Sequence, residues 1–172
     1  MAKVRIHIKD IKHYTGRRIG TSKWVEITQS RVNKFAEATG DFQWIHMDQE
    51  RAGTELPSGR TIVHNFLLLS LVPQLFDQIV TFSGLCYGQN RGAENMRFLR
   101  PLPTGSRVRI QVTLSKLENS DQKGQTATFQ IVMEKEDSDK PVLTLDLLLY
   151  FVAAQRVTSL DILSDQHQSV AL

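Results

Sequence analysis

One run of residues constrains this chain more than any other. Residues 66–72, Phe-Leu-Leu-Leu-Ser-Leu-Val, place apolar side chains all round a helix rather than along one stripe, and such a helix has to be enclosed. The run is far shorter than the ~18 apolar residues a membrane-spanning helix takes, so the enclosing layer is protein. Alternating segments downstream supply that layer. Val108, Ile110, Val112 and Leu114 alternate with polar or charged residues, and Ala127, Phe129, Ile131 and Met133 repeat the pattern. Residues 119–124, Asn-Ser-Asp-Gln-Lys-Gly, have hairpin-turn chemistry, so the two strands pair antiparallel. A third strand over residues 142–152 carries Leu143, Leu145, Leu147, Leu149 and Phe151 on one face and a mixed set on the other. Such a strand suits a sheet that covers a helix on one side and meets a second subunit on the other.

Ionisable residues bracket the apolar run. Thr28 or Ser30 caps a first helix with the stripe Val32, Phe35, Ala36, and Gly40 ends it, because glycine reaches the left-handed conformation without a Cβ penalty. Asp41 follows that stop, and His46 comes five residues later. This spacing in a non-helical turn lets a carboxylate and an imidazole converge as an acid/base dyad. Asp48 is a competing carboxylate, although an aspartate there more often caps the next helical turn. Pro57, Ser58 and Gly59 mark a loop, and the central helix begins near His64 or Asn65. Pro73 is expected to end or kink it, leaving residues 74–80 as a second short piece. The unpaired N–H groups at the helix start face the dyad loop and suit negative charge developing on a carbonyl oxygen. A metal site built from Asp41, His46, Asp48 and His64 matches no ligand spacing, and none is expected.

The rest of the chain narrows the function classes. At 172 residues it is one domain in size, with a formal charge of +3 that is far from a nucleic-acid tail. The lone Cys86 excludes an internal disulfide and fits a reducing cytoplasm. The N-terminal alternation of Val4, Ile6 and Ile8 with charged residues reads as a strand rather than a secretory signal, and residues 12–18 as a basic, solvated linker. Neither a membrane nor a nucleic acid is an expected partner.

The segments F-A-E-A-T-G-D-F-Q-W-I-H and T-I-V-H-N-F-L-L-L-S-L, with N-M-R-F-L-R-P-L-P-T-G-S-R-V-R further on, resemble the MaoC-like dehydratase family. This is the hot-dog-fold group that includes (R)-specific enoyl-CoA hydratases, and the likeness is greatest to its NodN-like branch. The resemblance runs from about residue 24 to about residue 152, and its specific core is G-D-x-x-x-[IL]-H. It implies an α+β hot-dog fold: a bent antiparallel sheet wrapped around one long central helix. The implied organisation is an N-terminal strand and basic linker over residues 1–20, the hot-dog domain over 21–153 and a polar C-terminal tail over 154–172.

The same resemblance implies reversible hydration of a trans-2-enoyl-CoA, or dehydration of an (R)-3-hydroxyacyl-CoA. Asp41 and His46 would activate the water, and the backbone N–H of Asn65 would polarise the thioester carbonyl. Most relatives have glycine at that position, in H-G-[FM], where this chain reads His64-Asn65-Phe66. They also have Asn-Pro where it reads Gln43-Trp44, and some have serine in place of Pro73. Trp44 either packs in the core or walls an acyl pocket, and His64 and Arg97 are further candidates for substrate binding. Arg91, Arg100 and Arg107 join Arg97 as partners for coenzyme A phosphates, since a guanidinium matches phosphate geometry. The implied partners are an acyl-CoA or acyl-carrier-protein thioester and a second copy of the chain in a homodimer, with no cofactor beyond the thioester substrate. Two alternatives stand beside this reading: a hot-dog thioesterase using the same helix start, and a non-catalytic acyl-thioester binding or dimerisation module.

Overall fold

The computed structural model describes residues 3–120 and 124–154. Among these residues, eight strands and four helices run in the order β1 (Val4–His7), β2 (Arg17–Thr21), β3 (Val25–Glu26), α1 (Gln29–Thr39), α2 (Trp44–Met47), α3 (Gln49–Glu55), α4 (Asn65–Asp77), β4 (Val80–Ser83), β5 (Leu85–Phe98), β6 (Arg107–Ser120), β7 (Gly124–Lys135) and β8 (Pro141–Ala153), with a 3₁₀ helix over Ile8–Tyr14. The main sheet is antiparallel in the order β2-β6-β7-β8-β5, and β3 adds to β6. Its inner face supplies Val108 to Leu114 from β6, Ala127 to Met133 from β7, and Leu143, Leu145 and Leu147 from β8, packed with α4 into one core. This is the hot-dog arrangement, and it follows from the period-two pattern that puts alternate residues of each strand on one face.

The two strands pair antiparallel as expected, with Ser120 opposite Gly124. The turn residues 121–123 lie outside the described residues, as does the C-terminal tail beyond residue 154. The two-sided character of β8 is also real. Leu143, Leu145, Leu147 and Phe151 are buried on one face, and Val142 and Tyr150 on the other.

Three local expectations are corrected. Residues 12–18 are solvent-facing as expected, with Tyr14 half-buried, but they are not a plain linker, because Ile8 and Ile11 anchor the 3₁₀ helix in the core and β2 bonds to β6 from Arg17 onward. A pair of buried isoleucines outweighs the basic residues around them. Pro73 does not end the central helix, which continues to Asp77 so that Leu75 and Phe76 reach the core. Nor is that helix enclosed on every side. Leu67, Leu68, Leu71, Val72, Leu75 and Phe76 are buried, whereas Phe66 is 63% exposed and Ser70, Pro73 and Gln74 are exposed with it. One curved sheet covers one side of a helix, and the opposite stripe is left open. β1 pairs in parallel with β4.

Candidate active site

The site is assembled where three short pieces of chain meet the start of α4. Gly40, at φ 77°, donates its N–H to the Ala36 carbonyl at 2.8 Å and closes α1, so Asp41 leaves the helix on its first free residue. Thr28 caps the other end of α1 by accepting from the Arg31 N–H. His46 sits on the single turn α2. There the Ile62 N–H donates to the Ile45 carbonyl at 2.9 Å, and the Ile62 carbonyl accepts from His46 Nδ1 at 2.7 Å. Ile62 thus holds the histidine by both of its backbone groups. Its own segment is held in turn against residues 102–104, with Val63 N–H donating to the Leu102 carbonyl and Thr104 N–H to the Thr61 carbonyl.

Because Nδ1 of His46 donates to a carbonyl, its neutral ring carries the lone pair on Nε2. Burial pushes the imidazole below its ordinary 6.5. The bond to the Ile62 carbonyl offsets that in part, neighbouring His64 lowers it further and Asp41 raises it. The net result is a neutral base.

His64 precedes α4 and is only 2% exposed. Its ring stacks on His46 with centroids 3.8 Å apart and an interplanar angle of 27°, and it meets Phe35 at 5.1 Å. Nε2 donates to the backbone carbonyl of Asp41 at 2.9 Å and lies 3.9 Å from its Oδ2. Nδ1 is buried without a hydrogen-bond partner. His64 therefore braces the Asp41 loop against the His46 ring. Asp41, His46 and His64 each offer a ligand atom within 4.8 Å of the others, which is also the spacing of a small metal site. The stacking argues against convergence on an ion, since the in-plane lone pairs of near-parallel rings run side by side. Two of the four ring nitrogens are in addition already held by carbonyls.

A cavity of about 660 Å³ opens beside these residues, walled by Phe35, Ile62, Val63, Phe66 and Phe98 and lined also by Asn65 and Arg100. Asn65 is exposed and is the first residue of α4, where N–H groups have no carbonyl of their own helix to bond. Carboxylate, neutral imidazole and helix start thus share one apolar chamber.

The other sequence candidates fall elsewhere. Asp48 caps α3, its Oδ1 accepting from the Arg51 N–H at 2.9 Å, which is the capping reading. Trp44 lies outside the cavity wall with the Arg51 guanidinium 3.9 Å from its ring centroid. Arg97 is exposed on β5 and donates to the Met96 carbonyl at 2.9 Å. Residues 85–97 of β5 run along the sheet edge, through irregular register at 90–92 and 94–97, and are not among the cavity's lining residues.

Gln29 is a residue that sequence reasoning missed. Its amide nitrogen donates to the His46 carbonyl and to Asn33 Oδ1, both at 2.8 Å. Its amide oxygen lies 2.5 Å from Thr61 Oγ1, which lies 2.9 Å from Thr104 Oγ1. Thr61 has one proton and gives it to the amide oxygen, which has none to return, so Thr104 donates to Thr61. A glutamine after a helix cap looks like any surface residue in the sequence; only its contacts distinguish it.

A family model described as MaoC like domain matches residues 10–136. The chain is 41% identical over 146 residues to 3-hydroxyacyl-thioester dehydratase Z of Mycobacterium tuberculosis, covering 85% of this chain and 96% of that protein. It is 37% identical over 140 residues to nodulation protein N of Rhizobium meliloti, covering 81% and 87%. Among solved structures it resembles a monoamine oxidase regulatory protein of Archaeoglobus fulgidus, with a TM-score of 0.70 at 21% identity, over 90% of this chain and all of that one.

Proposed function

Since this chain belongs to the MaoC-like domain family, we propose that it is a hydratase–dehydratase of acyl thioesters, adding water across a trans-2-enoyl thioester and removing it from the (R)-3-hydroxyacyl product. The observation that carries this reading is the placing of Asp41 and His46 within 4.8 Å of each other beside the start of α4, in one apolar cavity. Two hydrogen bonds of about 2.8 Å meeting at a water oxygen span ~4.6 Å. A single bridging water is compatible with that bound. The dehydratase relative from M. tuberculosis, whose name specifies a 3-hydroxyacyl thioester, supports the same substrate class.

In this mechanism the water is held by the Asp41 carboxylate and the Nε2 lone pair of His46. Its oxygen bonds to C3 while its proton passes to His46, and the displaced π electrons move onto the thioester oxygen. The Asn65 N–H stabilises that enolate, aided by the partial positive charge of the helix start. The proton then returns to C2, which completes the addition of H and OH without an oxidant or a resident cofactor. The backbone donor does not depend on the residue 65 side chain, so the asparagine is compatible with the chemistry.

The test is a panel of enoyl-CoA and enoyl-acyl-carrier-protein thioesters, followed both by loss of enoyl absorbance and by appearance of free thiol. Hydration without thiol release is expected. Thiol release alone would replace this reading with thioesterase action, and binding with neither signal would leave a silent acyl-thioester module.

A further inference from the structure

Four arginines stood as candidates to meet an anionic part of the substrate, and the fold separates them. Arg107 meets the Glu136 carboxylate at 2.7 Å, Arg97 turns to a backbone carbonyl, and Arg91 lies with its guanidinium carbon 3.7 Å from the Tyr150 ring centroid. Only Arg100 of the four lines the cavity that holds Asp41 and His46. It is partly buried, its Nε is fully buried without a hydrogen-bond partner, and among the described residues no carboxylate lies within ion-pair distance. An Nε–H cut off from water with no acceptor is costly to hold, because the hydration it loses is not replaced. The surroundings emphasise the point. Arg100 stands between Leu99 and Pro101 in the chain, and Phe66 and Phe98 line the same cavity. Asp41, the one carboxylate of the cavity, is already turned towards His64.

We propose that Arg100 is a specificity-determining residue that binds an oxyanion carried by the thioester substrate, either a phosphate of the carrier or a carboxylate on the acyl chain. The guanidinium fork presents parallel N–H donors that match either group, and a charge-assisted bond to it discriminates against a neutral substrate. This rests on the acyl-thioester reading of the same cavity.

The experiment measures binding by calorimetry with three saturated thioesters that cannot be hydrated: butyryl-CoA, S-butyryl-pantetheine, which is neutral, and S-glutaryl-pantetheine, which carries a terminal carboxylate. Wild type is expected to bind at least one charged thioester about tenfold or more tightly than the neutral one, and Arg100→Gln to abolish that preference while changing affinity for the neutral thioester less than about twofold. Loss confined to butyryl-CoA identifies the carrier phosphate, and loss confined to S-glutaryl-pantetheine identifies the acyl carboxylate. Should Arg100→Gln fail to fold, Arg100→Lys, which keeps the charge and loses the fork, is expected to retain part of the preference. Equal weakening of all three thioesters, no change in any, or a wild-type protein with no preference would overturn the proposal. Because none of the probes turns over, a protein that hydrates nothing but shows the preference would sink the hydratase reading and leave the anion site standing.

Discussion

His46 and Asp41 are expected to act on the same water, and that predicts a pattern rather than a single loss. Asp41→Asn or His46→Gln should each lower the hydration rate by roughly 10²–10⁴-fold, the usual range for losing a general acid or base. The double variant should lose little more, because either group alone leaves the water badly held. Initial rates for the four proteins check this, with circular dichroism to confirm folding. A folded Asp41→Asn protein at the wild-type rate would sink the dyad. The depressed pKa of His46 carries a second expectation. In the unfolded chain the imidazole takes up its proton near the ordinary 6.5, while in the folded protein burial and the stacked His64 ring delay uptake to lower pH, with Asp41 opposing them. The unfolded state therefore binds more protons just below 6.5, and stability falls as pH drops through that window and recovers above it. Melts from about pH 8 to about pH 5 should show a steeper decline for wild type than for His46→Gln. The acid limb of the rate profile should lie below 6.5 for the same reason.

At the scale of elements, the one-turn helix α2 has too few bonds of its own to fix His46, so its position is borrowed from α1 and from the 61–63 segment. Gln29→Leu removes the amide that holds the His46 carbonyl. It is expected to lower kcat by about tenfold or more with little change in KM, since small misplacements of a catalytic group are costly. A parallel loss in kcat and KM, or a loss fully explained by a lower Tm, would reduce Gln29 to a structural residue. In the central helix, Pro73 is exposed and removes one backbone hydrogen bond in the helix interior. Pro73→Ala should raise stability by about 1–2 kcal/mol, less than the full proline penalty because the unfolded chain gains freedom. Denaturant titration reads this directly, and a decrease would mean that the ring packs against something the chain needs.

At the scale of the molecule, two surfaces are unfinished. β5 is an edge of the sheet, and most of its residues are exposed although it pairs with β8, in interrupted register, on one side. The open stripe of α4 with Phe66, together with exposed Phe42 and Leu99, adds apolar area near the cavity mouth. Uncovered strand edges and clustered apolar residues are what a self-complementary interface uses. Sedimentation at micromolar concentration is expected to give twice the 19.6 kDa chain mass. A monomer there would count against the homodimer.

Much of this was legible in the residues themselves, for reasons that are local. Gly40 stops α1 because only a residue tolerant of positive φ closes a helix so tightly, and Asp48 caps because its carboxylate reaches the next turn's N–H. The pairing of β6 with β7 follows from alternation and a short polar turn, and G-D-x-x-x-[IL]-H marks where Asp41 and His46 lie. The tertiary structure decided what depends on distant partners. It put His64 against His46, threaded Gln29, Thr61 and Thr104 behind His46, took Trp44 and Arg97 out of the cavity wall and left Arg100 in it with no carboxylate of the described residues in ion-pair distance. Those outcomes turn on which side chain meets which across tens of residues, and a spacing rule, which sees a turn or a strand at a time, carries no information about them.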